Sequence, residues 1–65
     1  MNEKVKKFTE LCSLSRTEGL TMYQHLEKKK LADEMVIEGI MTHDGQYKFV
    51  NMTDRKFFQE MIEKL

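Results

Sequence analysis

Apolar residues along this chain recur at different spacings, and each spacing predicts an element. Val5, Phe8, Leu11 and Cys12 return every three or four residues, with Lys4, Lys6, Lys7 and Glu10 among them. That period places the apolar set on one face of a helix. Asn2 is positioned to cap it, and Glu3 suits its positive first turn. Ser13, Ser15, Thr17 and Gly19 then form a cluster with loop chemistry. Ser15 with Glu18 and Thr21 with Gln24 both fit a capping box. Gly19 costs about 1 kcal/mol against Ala inside a helix, which favours a second helix starting after Thr21. That helix is expected to carry Met22, Tyr23 and Leu26 inward.

The apolar phase breaks after Leu26. Glu27-Lys28-Lys29-Lys30 is wholly charged, and on an ideal helix Leu31 and Met35 point well away from Leu26. Three readings follow: the helix bends, it ends near Lys30, or one long helix runs from Thr21 to about Met35 with two buried faces. From Val36 the pattern turns β-like. The segments "MVIEGIMT" and "QYKFVN" flank His43-Asp44-Gly45-Gln46. Asp-Gly suits the two positive-φ positions of a type I′ turn. With Asp44-Gly45 as the loop, His43 faces Gln46, Thr42 faces Tyr47 and Ile40 faces Phe49. Ile40, Thr42, Tyr47 and Phe49 then form the core face. Met41 lies opposite Lys48 on the second face, with Ile37, Val50 and Met52.

The last segment, "MTDRKFFQEMIEKL", carries a broad apolar stripe of Phe57, Phe58, Met61, Ile62 and Leu65. Thr53 is its expected N-cap, Asp54 suits its first turn, and Glu60 with Lys64 suits a surface pair. The predicted fold class is α+β: a small single domain over residues 1–65, ordered helix-helix-strand-strand-helix, with a β-hairpin packed on three helices. The helices are expected near 3–14, 21–34 and 53–65 and the hairpin near 36–51. The expected core is Val5, Phe8, Leu11, Leu26, Ile40, Phe49, Phe57, Met61 and Ile62.

Composition narrows the function classes. The 11 basic and 11 acidic side chains balance, so the strong basic excess of many nucleic-acid binders is absent. The 40% hydrophobic content is that of a folded chain. No apolar run approaches membrane-spanning length, and the N-terminal dozen has no signal-peptide core. Cys12 is the only cysteine, so no intrachain disulfide forms and a reducing compartment is expected. The chain reads as a complete small cytoplasmic protein.

The segment "MYQHLEKKKLADEMVIEGIMTHDGQYKFVNMTDRKFFQEMI", residues 22–62, resembles the back half of winged-helix domains. In that comparison Tyr23 to Leu31 stands where the recognition helix would be. His43 to Gln46 stands at the wing tip, and Thr53 to Leu65 at the closing helix. The resemblance implies DNA binding, with Gln24, Lys28, Lys29, Lys30 and His43 as candidate contacts. It covers about two-thirds of the chain, and "SRTEGL" is short for the family's second helix.

Catalytic and metal chemistry find little support. His43 and Asp44 are adjacent at a turn, and His25 and Cys12 are the remaining candidates, but no ligand pair has zinc spacing. Cys12 reads as a small buried hydrophobe on the first helix. Gly19, Gly39 and Gly45 are isolated, so there is no phosphate loop. Neither an enzyme nor a cofactor, metal or small-molecule substrate is expected, and no membrane. The expectation is a regulatory or inhibitory module that binds a protein partner or itself. Its candidate contact residues are Ile37, Met41, Val50, Met52, Tyr23 and Phe58. The alternative is nucleic-acid binding through Lys28–Lys30 and the hairpin tip.

Overall fold

The computed structural model describes residues 2–65. Its first helix, α1, spans Glu3–Thr17. The Asn2 side chain accepts from the Lys4 N–H at 2.8 Å, satisfying one of the donors a helix start leaves open. Val5, Phe8 and Leu11 are buried, as their spacing predicts. Thr9 is buried with them because its hydroxyl donates to the Val5 carbonyl at 2.8 Å.

The second helix, α2, runs unbroken over Met22–Ile37. It opens with the expected capping box. Gln24 N–H donates to Thr21 Oγ1 at 3.2 Å, and Thr21 N–H donates back to Gln24 Oε1 at 3.0 Å. It closes at Gly39, whose φ of +80° is left-handed. Ile40 N–H bonds to the Met35 carbonyl at 2.8 Å and Gly39 N–H to Val36 at 3.1 Å. This pair of bonds is the Schellman closure. The buried side of α2 is Ala32 and Met35. Leu26, expected in the core, is 64% exposed, and Met22 and Tyr23 point outward too. Leu26 and Met35 lie on opposite sides of one straight helix, and α1 and the hairpin cover only the Met35 side.

The hairpin pairs β1 (Met41–His43) with β2 (Tyr47–Phe49), antiparallel. Its register is Met41 opposite Phe49, Thr42 opposite Lys48 and His43 opposite Tyr47. The loop is therefore Asp44-Gly45-Gln46, one residue longer than expected. Gly45 has φ +87°, and among the described residues no non-glycine has positive φ. A type I′ turn needs two such positions, so it does not form. The extra loop residue changes which side chains share a face. Met41, not Ile40, pairs with Phe49, and both are buried. Thr42 is exposed and Ile40 half-buried.

The third helix, α3, spans Met52–Glu63. Its N-cap is Asn51, whose side chain accepts from the Thr53 N–H at 2.7 Å, so Thr53 lies inside the helix it was expected to cap. The expected Glu60–Lys64 pair is not among the ion pairs of the described residues. Gln59 instead donates to Glu63 at 3.2 Å.

α1 packs against both α2 and α3, while β1 packs on α2 and β2 on α3. Phe8 is the hub. It meets Phe49 edge-on at 5.9 Å and Phe58 stacked at 6.1 Å, and Phe49 and Phe58 are 5.7 Å apart. Such pairs add about 0.5–1.5 kcal/mol each beyond the area they bury. Ion pairs from Lys4 to Glu38 and from Lys7 to Glu27 join α1 to α2 at the surface, where solvent leaves them little net worth. The architecture is the predicted α+β single domain. No helix among the described residues is long and apolar enough to cross a membrane.

Candidate docking surfaces

An open concavity lies between β2 and α3, and its origin is a mismatch of lengths. The strands have three residues each, spanning about 10 Å. α3 has twelve, spanning about 18 Å. The hairpin cannot cover the apolar stripe of the longer element. Phe57, Phe58, Met61 and Ile62 stay half-buried, and no α3 residue is buried outright. The result is an open cleft of about 620 Å³. The buried residues Phe8, Met41 and Phe49 line it, together with Tyr47, Phe58 and Ile62. Its polar lining is Lys48, Arg55, Gln59 and Glu63. Arg55 is anchored, since its Nε donates to the Phe49 carbonyl at 2.6 Å. That bond ties α3 to β2 and leaves the terminal guanidinium nitrogens available.

A second apolar surface is the outward side of α2. Met22, Tyr23, Leu26 and Ile37 are all exposed there. A small depression of about 240 Å³ lies among Tyr23, Leu26, Glu27 and Lys30.

One polar cluster couples α2 to the hairpin. The Asp33 carboxylate accepts from the Tyr47 hydroxyl at 2.6 Å and from Lys29 at 3.2 Å. The Tyr47 bond, then the Lys29 bond, holds the Asp33 carboxyl below its ordinary range. The same bonds to Asp33 raise Tyr47 and Lys29. His43 stacks on the Tyr47 ring at 4.3 Å. The Cys12 thiol, half-buried on α1, is pushed up by burial. Among the described residues no group of three or more His, Cys, Asp or Glu side chains could hold a metal ion.

The candidate residues separate clearly. Ile37, Val50, Met52 and Tyr23 are exposed, Ile37 at 85%. Met41 is 3% exposed: the register turns it into the core rather than onto the open hairpin face, and it lines the cleft only from within. Phe58 is half-buried and stacks on Phe8 at the cleft. Tyr23 and Ile37 lie near opposite ends of α2, roughly 20 Å apart, so the set is not one patch. Lys28, Lys29 and Lys30 turn about 100° apart around the helix. Lys28 is half-buried, Lys29 pairs with Asp33, and Lys30 is exposed. Gln24 serves the cap, and His43 lies on Tyr47. The lining residues Lys48, Arg55, Gln59 and Glu63 were not anticipated. No local sequence signal marks them, because the three-residue length of the strands shows only in the folded chain.

Searches with this chain find no matching family model, no similar characterised protein and no similar solved structure.

Proposed function

We propose that this chain is a small non-enzymatic regulatory or inhibitory module of the cytoplasm that acts by binding a protein partner in the cleft between β2 and α3. The observation that carries the reading is α3 itself. It is strongly amphipathic, yet it leaves all its large apolar side chains partly open beside an aromatic floor. A cleft of this size, mostly apolar with a few fixed polar groups, is the usual form of a recognition site. Two bases and one acid line it, Lys48 and Arg55 against Glu63. The fitting occupant is a protein segment with an apolar anchor beside a carboxylate, which Arg55 can grip in a charge-assisted pair.

The test uses a photo-crosslinking residue at Gln59, inside the cleft, and at Lys6, on the exposed side of α1. In cells that express the chain, the Gln59 probe should capture a discrete protein. Capture should vanish in an Ile62→Glu variant that keeps its circular dichroism, and the Lys6 probe should capture none. Equal capture from both positions, or capture untouched by Ile62→Glu, refutes the reading. Retention of the wild type on duplex DNA at low salt, lost on Lys→Glu changes at Lys28–Lys30, would transfer the function to nucleic acid.

A further inference from the structure

We propose that the outward face of α2 joins two copies of this chain as a symmetric, antiparallel helix pair. A two-fold dimer uses the same patch on both partners, so the patch must be complementary to itself. Along α2 the exposed residues Leu26, Lys30, Asp33 and Ile37 are spaced four, three and four apart. That is the spacing of a coiled-coil seam. It also reads the same from either end: apolar, polar, polar, apolar. A two-fold axis midway between Lys30 and Asp33 sets Leu26 against the partner's Ile37. The same axis sets Lys30 against the partner's Asp33. Each layer occurs twice, so two apolar contacts flank two ion pairs.

The charges are arranged for this geometry. Lys30 makes no ion pair among the described residues. Asp33 is held in place by Tyr47 and Lys29, each on a different oxygen. A carboxylate offers about four lone-pair sites, so it can still accept from the partner's Lys30. The polar layers also set the register. Sliding by one heptad would put Leu26 on the partner's Lys30. A parallel pair would put Lys30 on Lys30 and Asp33 on Asp33.

Surface area sets the scale of such an interface. A monomer of 7.8 kDa normally exposes about 4400 Å². This chain exposes 4787 Å², an excess of roughly 400 Å². A standard interface buries about 800 Å² per partner. The dimer is therefore expected at the weak, transient end of interface sizes.

This surface is separate from the cleft, so Ile62→Glu should leave dimerisation intact, and failure of either proposal does not touch the other. The experiment is sedimentation velocity from micromolar to millimolar chain in low salt. Wild type should dimerise, and Leu26→Ser should weaken association about tenfold or more. Lys30→Asp alone and Asp33→Lys alone should each be monomeric, since each places like charges together twice. Mixed one to one, those two variants should form a heterodimer. A spin label on the thiol introduced by Ile37→Cys, in a chain that also carries Cys12→Ser, should broaden the Leu26 methyl signals of an unlabelled wild-type chain. A wild type monomeric throughout, a dimer indifferent to these changes, a mixture that stays monomeric, or an unbroadened Leu26 each overturns the proposal.

Discussion

Replacing Met41 by alanine tests the hairpin register directly. With a two-residue loop Met41 would stand on the open face, and its truncation would cost no more than an ordinary surface change, within about 0.5 kcal/mol. In the observed register it is buried against Phe49 and packed in the core with Phe8 and Met35. Truncating a buried Met removes its transfer energy and leaves a cavity, about 2–5 kcal/mol in all. Met41 lines an open cleft, where water or a shifting Ile62 can fill the gap, so the lower half of that range applies: about 2–3 kcal/mol. A chain of this size has roughly 3–10 kcal/mol in total. The midpoint of thermal unfolding should fall by about 10–20 °C. Ile37→Ala is the control: at 85% exposure it should change stability by less than about 0.5 kcal/mol. Urea denaturation followed by circular dichroism measures both, and the slope should stay constant if only stability changed. The register argument fails if Met41→Ala is as mild as Ile37→Ala.

Other consequences can be checked with simple variants. Gly39→Ala should lower stability by about 1–2 kcal/mol, seen in thermal melts. An added Cβ meets no atom within 4 Å, so the whole cost is the left-handed backbone. Asp33 is depressed in the folded chain by Tyr47 and Lys29. Its contribution to stability is present above the ordinary carboxylate pKa and is lost as pH falls through the lower folded value. Carbon NMR titration should show Asp33 moving upward in Tyr47→Phe, and an unmoved Asp33 would remove the hydroxyl as the main cause. The Cys12 thiol, raised by burial, should react with a disulfide reagent near pH 8 far more slowly in the folded chain than in denaturant.

Parts of this fold were legible because their signals are local. Asn2, the Thr21–Gln24 box and the Val5–Phe8–Leu11 spacing each act within one or two helical turns, and all three stand as read. The hairpin was legible as a hairpin but not in its register. Asp44-Gly45 signals a reversal without stating whether Gln46 belongs to the loop, and that one residue decides whether Ile40 or Met41 is core. Leu26 failed for a different reason. An apolar side chain shows what a helix could bury, not whether a fold of this size has anything to lay over it. The broken phase after Leu26 was the visible trace of α2's second apolar face. The cleft could not be read locally at all, because it arises from the unequal lengths of elements that meet only in three dimensions.

Phe8 belongs to the first helix and Phe58 to the last, and their stack closes the aromatic hub. During synthesis the chain reaches α1, α2 and the hairpin before α3 exists outside the ribosome. Until then Phe8 and Phe49 lack their third ring and remain open to solvent and to chaperones. Any nascent or truncated chain without α3 therefore displays the greasy centre that the finished chain covers.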